Sequence, residues 1–189
     1  APITVSNADV ENVALTLAVP VSIAGRISVE GVPLAAVPGL DRIRVQLRPS
    51  IDGTITNAGN APQPQPATPD GTFRVDGVVP GEYVVSLIGA LSPDFYLKEA
   101  RFEQVDVLNQ PMQFSGSSSG ILDVVLSSRP GQIDGRVVDE KQRPVSGNLA
   151  VLIPDRPRNR LDLYKTATTD QNGAFTFRGV PPGDYKVFA

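Results

Sequence analysis

The sequence predicts an all-β chain built from tandem antiparallel β-sandwiches. Three observations lead to this prediction. Apolar and polar residues alternate over many short segments, and no segment keeps a convincing helical period. Glycine and proline, 17 and 18 of the 189 residues, are scattered between these segments as turns between strands require. Finally, one passage that reads as two strands and a turn occurs twice in the chain.

The repeated passage covers residues 69–87, "PDGTFRVDGVVPGEYVVSL", and residues 171–189, "QNGAFTFRGVPPGDYKVFA". Eight of the nineteen positions, aligned at a shift of 102, are identical. Pro-Gly at 80–81 and at 182–183 suits the centre of a type II turn, in which glycine takes a positive φ. Each copy therefore predicts a hairpin-like unit of strand, turn and strand. The identical positions are Gly71/Gly173, Phe73/Phe175, Gly77/Gly179, Val78/Val180, Pro80/Pro182, Gly81/Gly183, Tyr83/Tyr185 and Val85/Val187.

A second pair of similar passages lies upstream of the first. Residues 21–31, "VSIAGRISVEG", match residues 131–141, "GQIDGRVVDEK", at a shift of 110. An apolar strand follows in each case, "IRVQLRP" at 43–49 and "LAVLIP" at 149–154. The same order of elements therefore occurs in both halves of the chain.

This order predicts two β-sandwiches of immunoglobulin-like or transthyretin-like type. We name them unit one, residues 20–128, and unit two, residues 129–189. The junction between them, "SSRPG" at 127–131, is short, so the two units are expected to move little relative to each other.

The segments that precede the two units are also similar. Residues 12–20, "NVALTLAVP", precede unit one as residues 121–130, "ILDVVLSSRP", precede unit two. Each reads as the closing strand of a unit, so residues 1–19 are predicted to supply the closing strand of a preceding unit, and unit two is predicted to lack its last strands. Unpaired sheet edges promote association. We therefore expect self-association by strand exchange through residues 13–19.

Two polar segments without period are predicted to be loops. Residues 50–70, "SIDGTITNAGNAPQPQPATPD", are rich in proline, glutamine and asparagine, and predict a mobile loop inserted in unit one. Residues 113–120 contain "SGSSSG" and predict a flexible turn.

Composition excludes several classes of function. The net charge of −3 and the pI of about 5.0 disfavour a nucleic-acid partner. Without cysteine or histidine, neither a Cys/His nor a Ser/His/Asp catalytic arrangement can form, so we predict no enzyme and no cofactor. The Asp-Gly and Asn-Gly pairs near residues 70 and 172 are turn formers, so no metal site is predicted. No apolar run reaches about 18 residues, so no membrane span is expected.

The candidate binding residues lie outside the repeated passages, whose aromatic residues are assigned to the core. Residues 92–102, "SPDFYLKEARF", are the best candidate for an aromatic sugar-binding surface. The arginines of "DRPRNRLD" at 155–162 can bind a carboxylate or a phosphate, although a solvated loop neutralised by the flanking aspartates is the default. The predicted ligand-binding residues are Phe95, Tyr96, Phe102, Arg156, Arg158 and Arg160.

Two passages of unit two carry a resemblance to a known family. "GRVVDEKQRPVSGNLAVLIPD" at 135–155 and "TTDQNGAFTFRGVPPGDYKVFA" at 168–189 resemble the bacterial carboxypeptidase-regulatory-like domain. In unit one the closing motif matches, whereas Asp139 and Pro144 have poor counterparts around residues 30–34. The resemblance covers most of residues 21–87 and 131–189. The resemblance implies a seven-stranded, transthyretin-like sandwich of a kind that recurs in secreted and surface proteins of bacteria. The same fold is shared with starch-binding modules.

The related collagen-adhesin B-type repeats often contain an isopeptide crosslink, which needs a buried acid. The resemblance would put this acid at Leu87 and Ala189, so no crosslink is predicted. Taken together, the residues and the resemblance predict a non-catalytic, extracytoplasmic array that acts as a spacer, scaffold or docking module of a larger bacterial cell-surface or secreted protein. The alternatives are a carbohydrate-binding module and an accessory domain of a larger enzyme or outer-membrane receptor. The partner would be a protein or a polysaccharide.

Overall fold

The computed structural model of the chain describes residues 5–7, 9–14, 17–51, 54–56, 61–89, 91–116 and 120–189. Within these ranges, the regular elements are strands and three short 3₁₀ helices, and the strands form several sheets. The all-β prediction is therefore confirmed. No helix in the described ranges combines the length and the hydrophobicity that crossing a membrane demands.

The strands are short and are separated by turns, as the frequency of glycine and proline predicts. Those of unit one are β1 (Val21–Glu30), β2 (Arg44–Ile51), β3 (Thr54–Ile55), β4 (Gln63–Pro64), β5 (Thr72–Val78), β6 (Gly81–Ile88), β7 (Tyr96–Phe102), β8 (Val105–Asp106), β9 (Met112–Phe114) and β10 (Ile121–Ser127). Those of unit two are β11 (Gly131–Arg136), β12 (Leu149–Pro154), β13 (Lys165–Thr168), β14 (Ala174–Val180) and β15 (Tyr185–Phe188). The 3₁₀ helices are Leu34–Ala36, Leu40–Arg42 and Leu161–Leu163.

Unit one contains two sheets. The six-stranded sheet has the order β4-β5-β1-β10-β7-β8, and the four-stranded sheet has the order β3-β2-β6-β9. All neighbours are antiparallel except β1 and β10, which run parallel over Ala24–Glu30 and Ile121–Ser127. Side chains alternate between the two faces of a strand, so each sheet presents one apolar face to the other.

The core of unit one is a single buried cluster contributed by both sheets. Phe102 of β7 and Phe114 of β9 meet there edge to face, with ring centroids 6.3 Å apart. This geometry is the preferred one for an aromatic pair. The largest fully buried side chains of the cluster are Ile23, Ile27, Ile43, Leu47, Met112, Leu122, Leu126, Val45, Val75 and Val78.

Unit two contains a two-stranded sheet, β11-β14, and a three-stranded sheet, β13-β12-β15. By the sequence repeats, β11, β12, β14 and β15 correspond to β1, β2, β5 and β6 of unit one. The pairings β11–β14 and β12–β15 repeat β1–β5 and β2–β6. The separate buried cluster of unit two is small and consists of Ala150, Leu152, Phe177 and Val180.

The repeated Pro-Gly passage does not form the predicted hairpin. β5 lies in the six-stranded sheet and β6 in the four-stranded sheet, and β14 and β15 are likewise in different sheets. Positive φ angles occur at Gly77 (77°) and Gly179 (64°), not at Gly81 and Gly183 as the type II turn required. The passage is thus a corner at which the chain crosses from one layer of a sandwich to the other. Consecutive strands pair often but not always, and here they lie in different sheets.

A tyrosine fixes this corner in both units. The Tyr83 hydroxyl donates a 2.8 Å hydrogen bond to the Val79 carbonyl and accepts a 3.3 Å bond from the Val79 amide. The Tyr185 hydroxyl donates to the Pro181 carbonyl at 2.9 Å. Each tyrosine therefore satisfies a carbonyl at the crossing, where no neighbouring strand is available.

The predicted mobile loop at 50–70 contains more structure than expected. β3 pairs with the end of β2, and β4 pairs with β5. Ala67 is buried, and its amide donates to the Ile43 carbonyl at 3.3 Å. The prediction of an irregular segment is therefore wrong for the residues of β3 and β4. Their extended backbone lies beside β2 and β5 and forms strand pairs with them. Residues 52–53 and 57–60 of the predicted loop, and 117–119 of the predicted flexible turn, lie outside the described residues.

The segment before β1 does not contain the predicted closing strand in its described residues. Residues 9–14 and 17–20 are exposed and belong to no strand, and residues 15–16 lie outside the description. A strand needs a neighbour for its backbone hydrogen bonds, and the predicted neighbour was a preceding unit. Pairing of residues 1–19 with such a unit remains a prediction.

Candidate functional site

The junction between the units is short and is held to the end of β1. β10 ends at Ser127 and β11 begins at Gly131. The Ser128 amide and hydroxyl both donate to the Glu30 carbonyl, at 3.3 and 3.1 Å. The Lys98 ammonium lies 2.9 Å from the Glu30 carboxylate and joins β7 to the same strand end. The polypeptide thus enters unit two from a well-anchored position.

Arg160 links the two units directly. Its guanidinium donates from Nε and Nη2 to the two Asp162 carboxylate oxygens, at 2.9 and 2.5 Å. Nη2 also donates to the Leu97 carbonyl of unit one at 3.1 Å. The side chain is 9% exposed. Arg160 therefore lies buried at the interface between the units and is not part of a solvated loop. Asp162 of unit two neutralises its charge through two hydrogen bonds.

The other two predicted arginines are exposed. Arg158 donates from Nε to the Asp155 carbonyl at 3.4 Å, and its own carbonyl accepts a 3.0 Å bond from the Tyr164 hydroxyl. Arg156 is exposed and lines a cleft between the units, described below. The three arginines thus have three different environments, which their regular spacing in the sequence did not indicate.

Two of the predicted exposed aromatic residues are buried. Phe95 is 8% exposed and Phe102 is 5% exposed, and both belong to the core of unit one. Neither can present a ring to a ligand in solution, so their assignment to a binding surface is corrected. Phe102 alternates with Ala100 toward the core within β7, and Phe95 is drawn in just before the strand begins.

Tyr96 is the aromatic residue of this segment that faces outward. It is the first residue of β7 and is half-buried, because unit two covers one side of it. Tyr185 of unit two lies close enough to interact electrostatically with it. The pKa of Tyr185 is raised by burial, with Arg160 lowering it and Asp162 and Tyr96 raising it further.

Residues of both units line a cleft of about 370 Å³, which we name the tyrosine cleft. This volume lies within the range of small-molecule sites. Its polar groups include two arginines, a lysine, an asparagine and an aspartate, and prolines line part of the wall. The lining residues are Tyr96, Leu97, Lys98, Asn109, Arg156, Pro157, Arg160, Leu163, Pro181, Pro182, Gly183, Asp184 and Tyr185.

A second inter-unit cleft, of about 330 Å³, involves the loop that precedes β7. It is lined by Ser92, Pro93 and Phe95 of unit one and by Lys165, Arg178 and Gly179 of unit two, among others. A Cβ atom on Gly179 would lie 3.0 Å from the Pro93 carbonyl oxygen. The backbones of the two units therefore approach each other closely at this point.

Two solvent-exposed ion pairs involve residues that line the tyrosine cleft or adjoin it in sequence. The hydrogen bond and charge of Lys98 lower the pKa of Glu30, and Glu30 in turn raises the pKa of Lys98. Lys186 lies 3.2 Å from Asp155 and lowers the pKa of that carboxyl. These pairs are solvent-exposed, so each contributes little to stability.

The described residues of the cleft offer cationic, amide, carboxylate and phenol groups as binding groups. A carboxylate with a raised pKa, such as a general acid at neutral pH requires, does not occur among the shifted groups. Over the described ranges, no three acidic residues converge as metal ligands.

The acidic motif residues of unit two build turns. The Asp170 carboxylate accepts from the Asn172 and Ala174 amides at 2.8 and 2.9 Å. The Asp139 carboxylate accepts from the Arg143 amide and from its guanidinium. Thr169 is buried and joins the Asn148 amide to the Val145 carbonyl. The side chains of these motif residues therefore stabilise turns by hydrogen bonds to nearby backbone groups.

Sequence inspection missed several residues of the tyrosine cleft. Tyr185, which the repeat predicts to be a core residue, packs against the core of unit two but is half-buried and also lines the cleft. Asn109 and Asp184 carry no pattern that marks them as ligand-binding residues. Their convergence depends on how the two units meet, and no local signal in the sequence reports this.

Comparison with known proteins gives a family for part of the chain. Residues 132–189 match the family model described as the carboxypeptidase regulatory-like domain. The match covers less than a third of the chain and coincides with unit two almost completely. No curated protein matches the chain significantly.

The fold comparison finds distant likenesses to two streptococcal pilus proteins and to one protein of Bacillus anthracis. A streptococcal ancillary pilin has a TM-score of 0.35 at 14% identity, over 89% of this chain and 53% of that one. The pilus backbone RrgB of Streptococcus pneumoniae has a TM-score of 0.32 at 11% identity, over 89% and 52%. The TIE protein of Bacillus anthracis has a TM-score of 0.32 at 13% identity, over 88% and 27%.

The chain thus spans about half or less of these three proteins. The matched family is the one that the motifs of unit two resemble, so that resemblance is confirmed where the family model applies. The C-terminal part of the chain, residues 132–189, is a carboxypeptidase regulatory-like domain.

Proposed function

We propose that the chain is a non-catalytic β-sandwich array that acts as a spacer, scaffold or docking module in a larger bacterial cell-surface or secreted protein. The observation that carries this proposal is the buried Arg160 guanidinium, which is paired with Asp162 in unit two and donates to the Leu97 carbonyl in unit one. A spacer must keep the orientation of its units, and a buried, charge-assisted bond across the joint does this.

Three further features support a stiff joint. Only residues 128–130 separate β10 from β11, so little free linker exists. Ser128 is hydrogen-bonded to Glu30. Gly179 lies against the backbone of Pro93. The extracytoplasmic location is proposed from the family that residues 132–189 match, because the resemblance to this family implies a secreted or surface protein of bacteria.

NMR relaxation of the amide groups tests the stiffness of the joint. We expect both units of the wild-type chain to tumble with one correlation time. Arg160→Gln should give the units distinct correlation times, because the bond to Leu97 and the pairing with Asp162 are lost. Arg158→Gln, an exposed change in the same loop, is the matched control. Independent tumbling in the wild-type chain would contradict the proposal.

A second candidate function is that of a carbohydrate-binding module. The observation that favours it is the tyrosine cleft, in which Tyr96 and Tyr185 lie among Arg156, Asn109 and Asp184. Aromatic rings pack on the apolar faces of sugars, and the polar groups can bind hydroxyls or a carboxylate.

A glycan array probed with the wild-type chain and with Tyr96→Ala tests this second candidate. Binding that is lost in Tyr96→Ala but retained in Tyr164→Ala would support a sugar site in the cleft, since Tyr164 is not among the residues that line it. Absence of binding, or equal binding by both variants, would exclude the cleft as the sugar site and leave the structural role as the proposed function.

A further inference from the structure

The outer face of the six-stranded sheet contains a cavity of about 420 Å³, which we name the arginine cavity. Ala24 of β1 lines it, with Arg74 of β5 opposite on one side and Ile121 of β10 on the other. Both neighbours have longer side chains than alanine, so the surface of the sheet is recessed at Ala24. The arginine cavity shares no lining residue with the tyrosine cleft.

Residues 65–68 form a wall of the arginine cavity beside the sheet. They follow β4 and continue along the edge of β5. The Gln65 amide donates to the Arg74 carbonyl at 2.8 Å, and the Thr68 amide donates to the Thr72 carbonyl at the same distance. These backbone bonds fix the segment, which brings a side-chain amide, a proline ring and a hydroxyl group to the cavity.

Two arginines line the arginine cavity, Arg26 of β1 and Arg74 of β5. Thr72 is the register partner of Arg26, so the two arginines are diagonal neighbours on one face of an antiparallel pair. Such neighbours lie about 7–8 Å apart, a distance that long side chains can bridge. Both side chains are exposed, and neither forms an ion pair with another residue of the described ranges. Two positive charges at this spacing attract an anion that contacts both.

The acidic residues around the arginine cavity do not neutralise these two arginines. The Asp70 and Asp76 carboxylates accept hydrogen bonds from neighbouring hydroxyl and amide groups. Asp123 of β10 lies beside Arg26 in the sheet, but it does not line the cavity and no ion pair joins the two. Both guanidinium groups are therefore able to donate to a carboxylate from outside the chain.

Unit two contains a carboxylate of its own at the equivalent place. The shifts of 110 and 102 between the repeats put Asp134 at the position of Ala24 and Thr176 at the position of Arg74. The Asp134 carboxylate accepts a 2.6 Å hydrogen bond from the Thr176 hydroxyl. The same pair of strands therefore has an acid and a hydroxyl in unit two, but a recess and a cation in unit one.

We propose that the arginine cavity binds the carboxylate of a uronic-acid saccharide. Arg26 and Arg74 would donate to the carboxylate, because the planar guanidinium group matches its geometry. Ile121, which is 50% exposed, and Pro66 offer apolar surface to the C–H groups of the sugar ring. The threonine hydroxyls of the cavity donate to Asp70 or to each other and can still accept hydrogen bonds from sugar hydroxyls.

A uronic acid suits the arginine cavity better than an acidic peptide does. One pyranose ring holds a carboxylate, hydroxyl groups and an apolar C–H face in fixed positions, so binding costs little conformational entropy. A glutamate or aspartate side chain presents the carboxylate alone, on a flexible stem. The volume of the cavity lies within the range of small-molecule sites. The inference concerns unit one only, and it is independent of the spacer role and of the tyrosine cleft.

Titration of the full chain with trigalacturonic acid, followed by amide chemical shifts, tests the proposal. We expect saturable shifts at Ala24, Arg26 and Arg74, and none at Tyr185 of the tyrosine cleft. The fully methyl-esterified trisaccharide should bind at least about tenfold more weakly, because it lacks the negative charges. Added salt should weaken binding, since the arginines are exposed. Shifts confined to the tyrosine cleft, or no saturable shifts up to millimolar concentrations, would overturn the proposal.

Substitutions at the two arginines test the site itself. Arg26→Gln and Arg74→Gln should each weaken binding at least about tenfold, because charged hydrogen bonds to the carboxylate are lost. Arg136→Gln, the same change at the repeat equivalent of Arg26, is the matched control and should bind like the wild type. Ala24→Asp copies Asp134 into unit one and should abolish binding. All these positions are exposed, so the fold is retained. Equal affinities of the wild type and Arg74→Gln would refute the proposal.

A triglutamate peptide with blocked termini provides the comparison with an acidic peptide. It carries the same number of carboxylates as trigalacturonic acid but lacks the sugar hydroxyls and the rigid ring. We expect it to bind more weakly to the wild-type chain than the trisaccharide does. Equal or tighter binding of the peptide would overturn the saccharide as the ligand class.

Discussion

Gly25 of β1 lies directly opposite Phe73 of β5, and the phenylalanine ring covers the glycine backbone. A Cβ atom on Gly25 would lie 2.1 Å from the ring carbon Cζ. The same pair recurs in unit two, where Gly135 faces Phe175 and the corresponding distance is 2.3 Å. The glycine of each "GR" motif and the phenylalanine of each "GxF" motif therefore contact each other across neighbouring strands. This contact explains why the two motifs occur together in both units.

Gly25→Ala should destabilise the chain by about 1–3 kcal/mol, because the added methyl group forces the Phe73 ring out of the core. Gly135→Ala should cost less, since Phe175 is only half-buried and can move. Urea denaturation followed by tyrosine fluorescence measures both. Gly131→Ala is the control, because a Cβ there meets only an ordinary contact at 3.5 Å. Equal stability of Gly25→Ala and Gly131→Ala would contradict the steric explanation.

Tyr83→Phe should destabilise unit one by about 1 kcal/mol. The change removes the hydrogen bond to the Val79 carbonyl while leaving the ring in the core. Tyr185→Phe should have a smaller effect, because Tyr185 is more exposed. Tyr164→Phe, which loses an exposed hydroxyl bond to Arg158, serves as the control in the same denaturation assay. The prediction fails when Tyr83→Phe is as stable as Tyr164→Phe.

Arg160→Met should destabilise the chain by about 1–3 kcal/mol, because it leaves the Leu97 carbonyl and the Asp162 carboxylate without their partner. Arg160→Lys should restore only part of this loss, since an ammonium cannot donate in the same fork geometry. Calorimetry should show one transition for the wild type and a broadened or split transition for Arg160→Met, as the units then unfold separately. Arg158→Met should leave the transition unchanged.

The Glu30–Lys98 pair makes stability depend on pH in two windows. The folded pKa of Glu30 lies below its unfolded value, so its contribution is present above about pH 4.3 and is lost as the pH falls through the folded pKa. The folded pKa of Lys98 lies above its unfolded value, so its contribution is complete below about pH 10.4 and is lost as the pH rises further.

Lys98→Met should remove both contributions. The difference in unfolding free energy between the wild type and this variant should therefore be largest near neutral pH and shrink toward pH 3 and above about pH 11. Lys141→Met, an exposed lysine outside the ion pairs of the described residues, is the control and should show no such profile. A difference that stays constant from acid to alkaline pH would show that Lys98 acts through packing alone.

The positions of most strands could be predicted from alternation and turn residues, as β5, β6, β14 and β15 illustrate. Their partners could not. Pro80-Gly81 between two strands suggested a hairpin, whereas the chain crosses to the other sheet and the Tyr83 hydroxyl holds the corner. The site was predicted less well than the strands. Tyr96, Arg156 and the buried Arg160 line the cleft, but Phe95 and Phe102 are buried in the core of unit one.

The amino-acid order alone therefore determined the class of fold, the repeat, and the family of the C-terminal unit, because alternation and turn chemistry are local properties of the chain. Tertiary structure decided which strands pair, which aromatic rings face water, and that Arg160 reaches Leu97 across the joint. These outcomes depend on contacts between residues that lie far apart in the sequence, 63 positions in the case of Arg160 and Leu97. Only the packing of the two sheets and the two units brings such residues together.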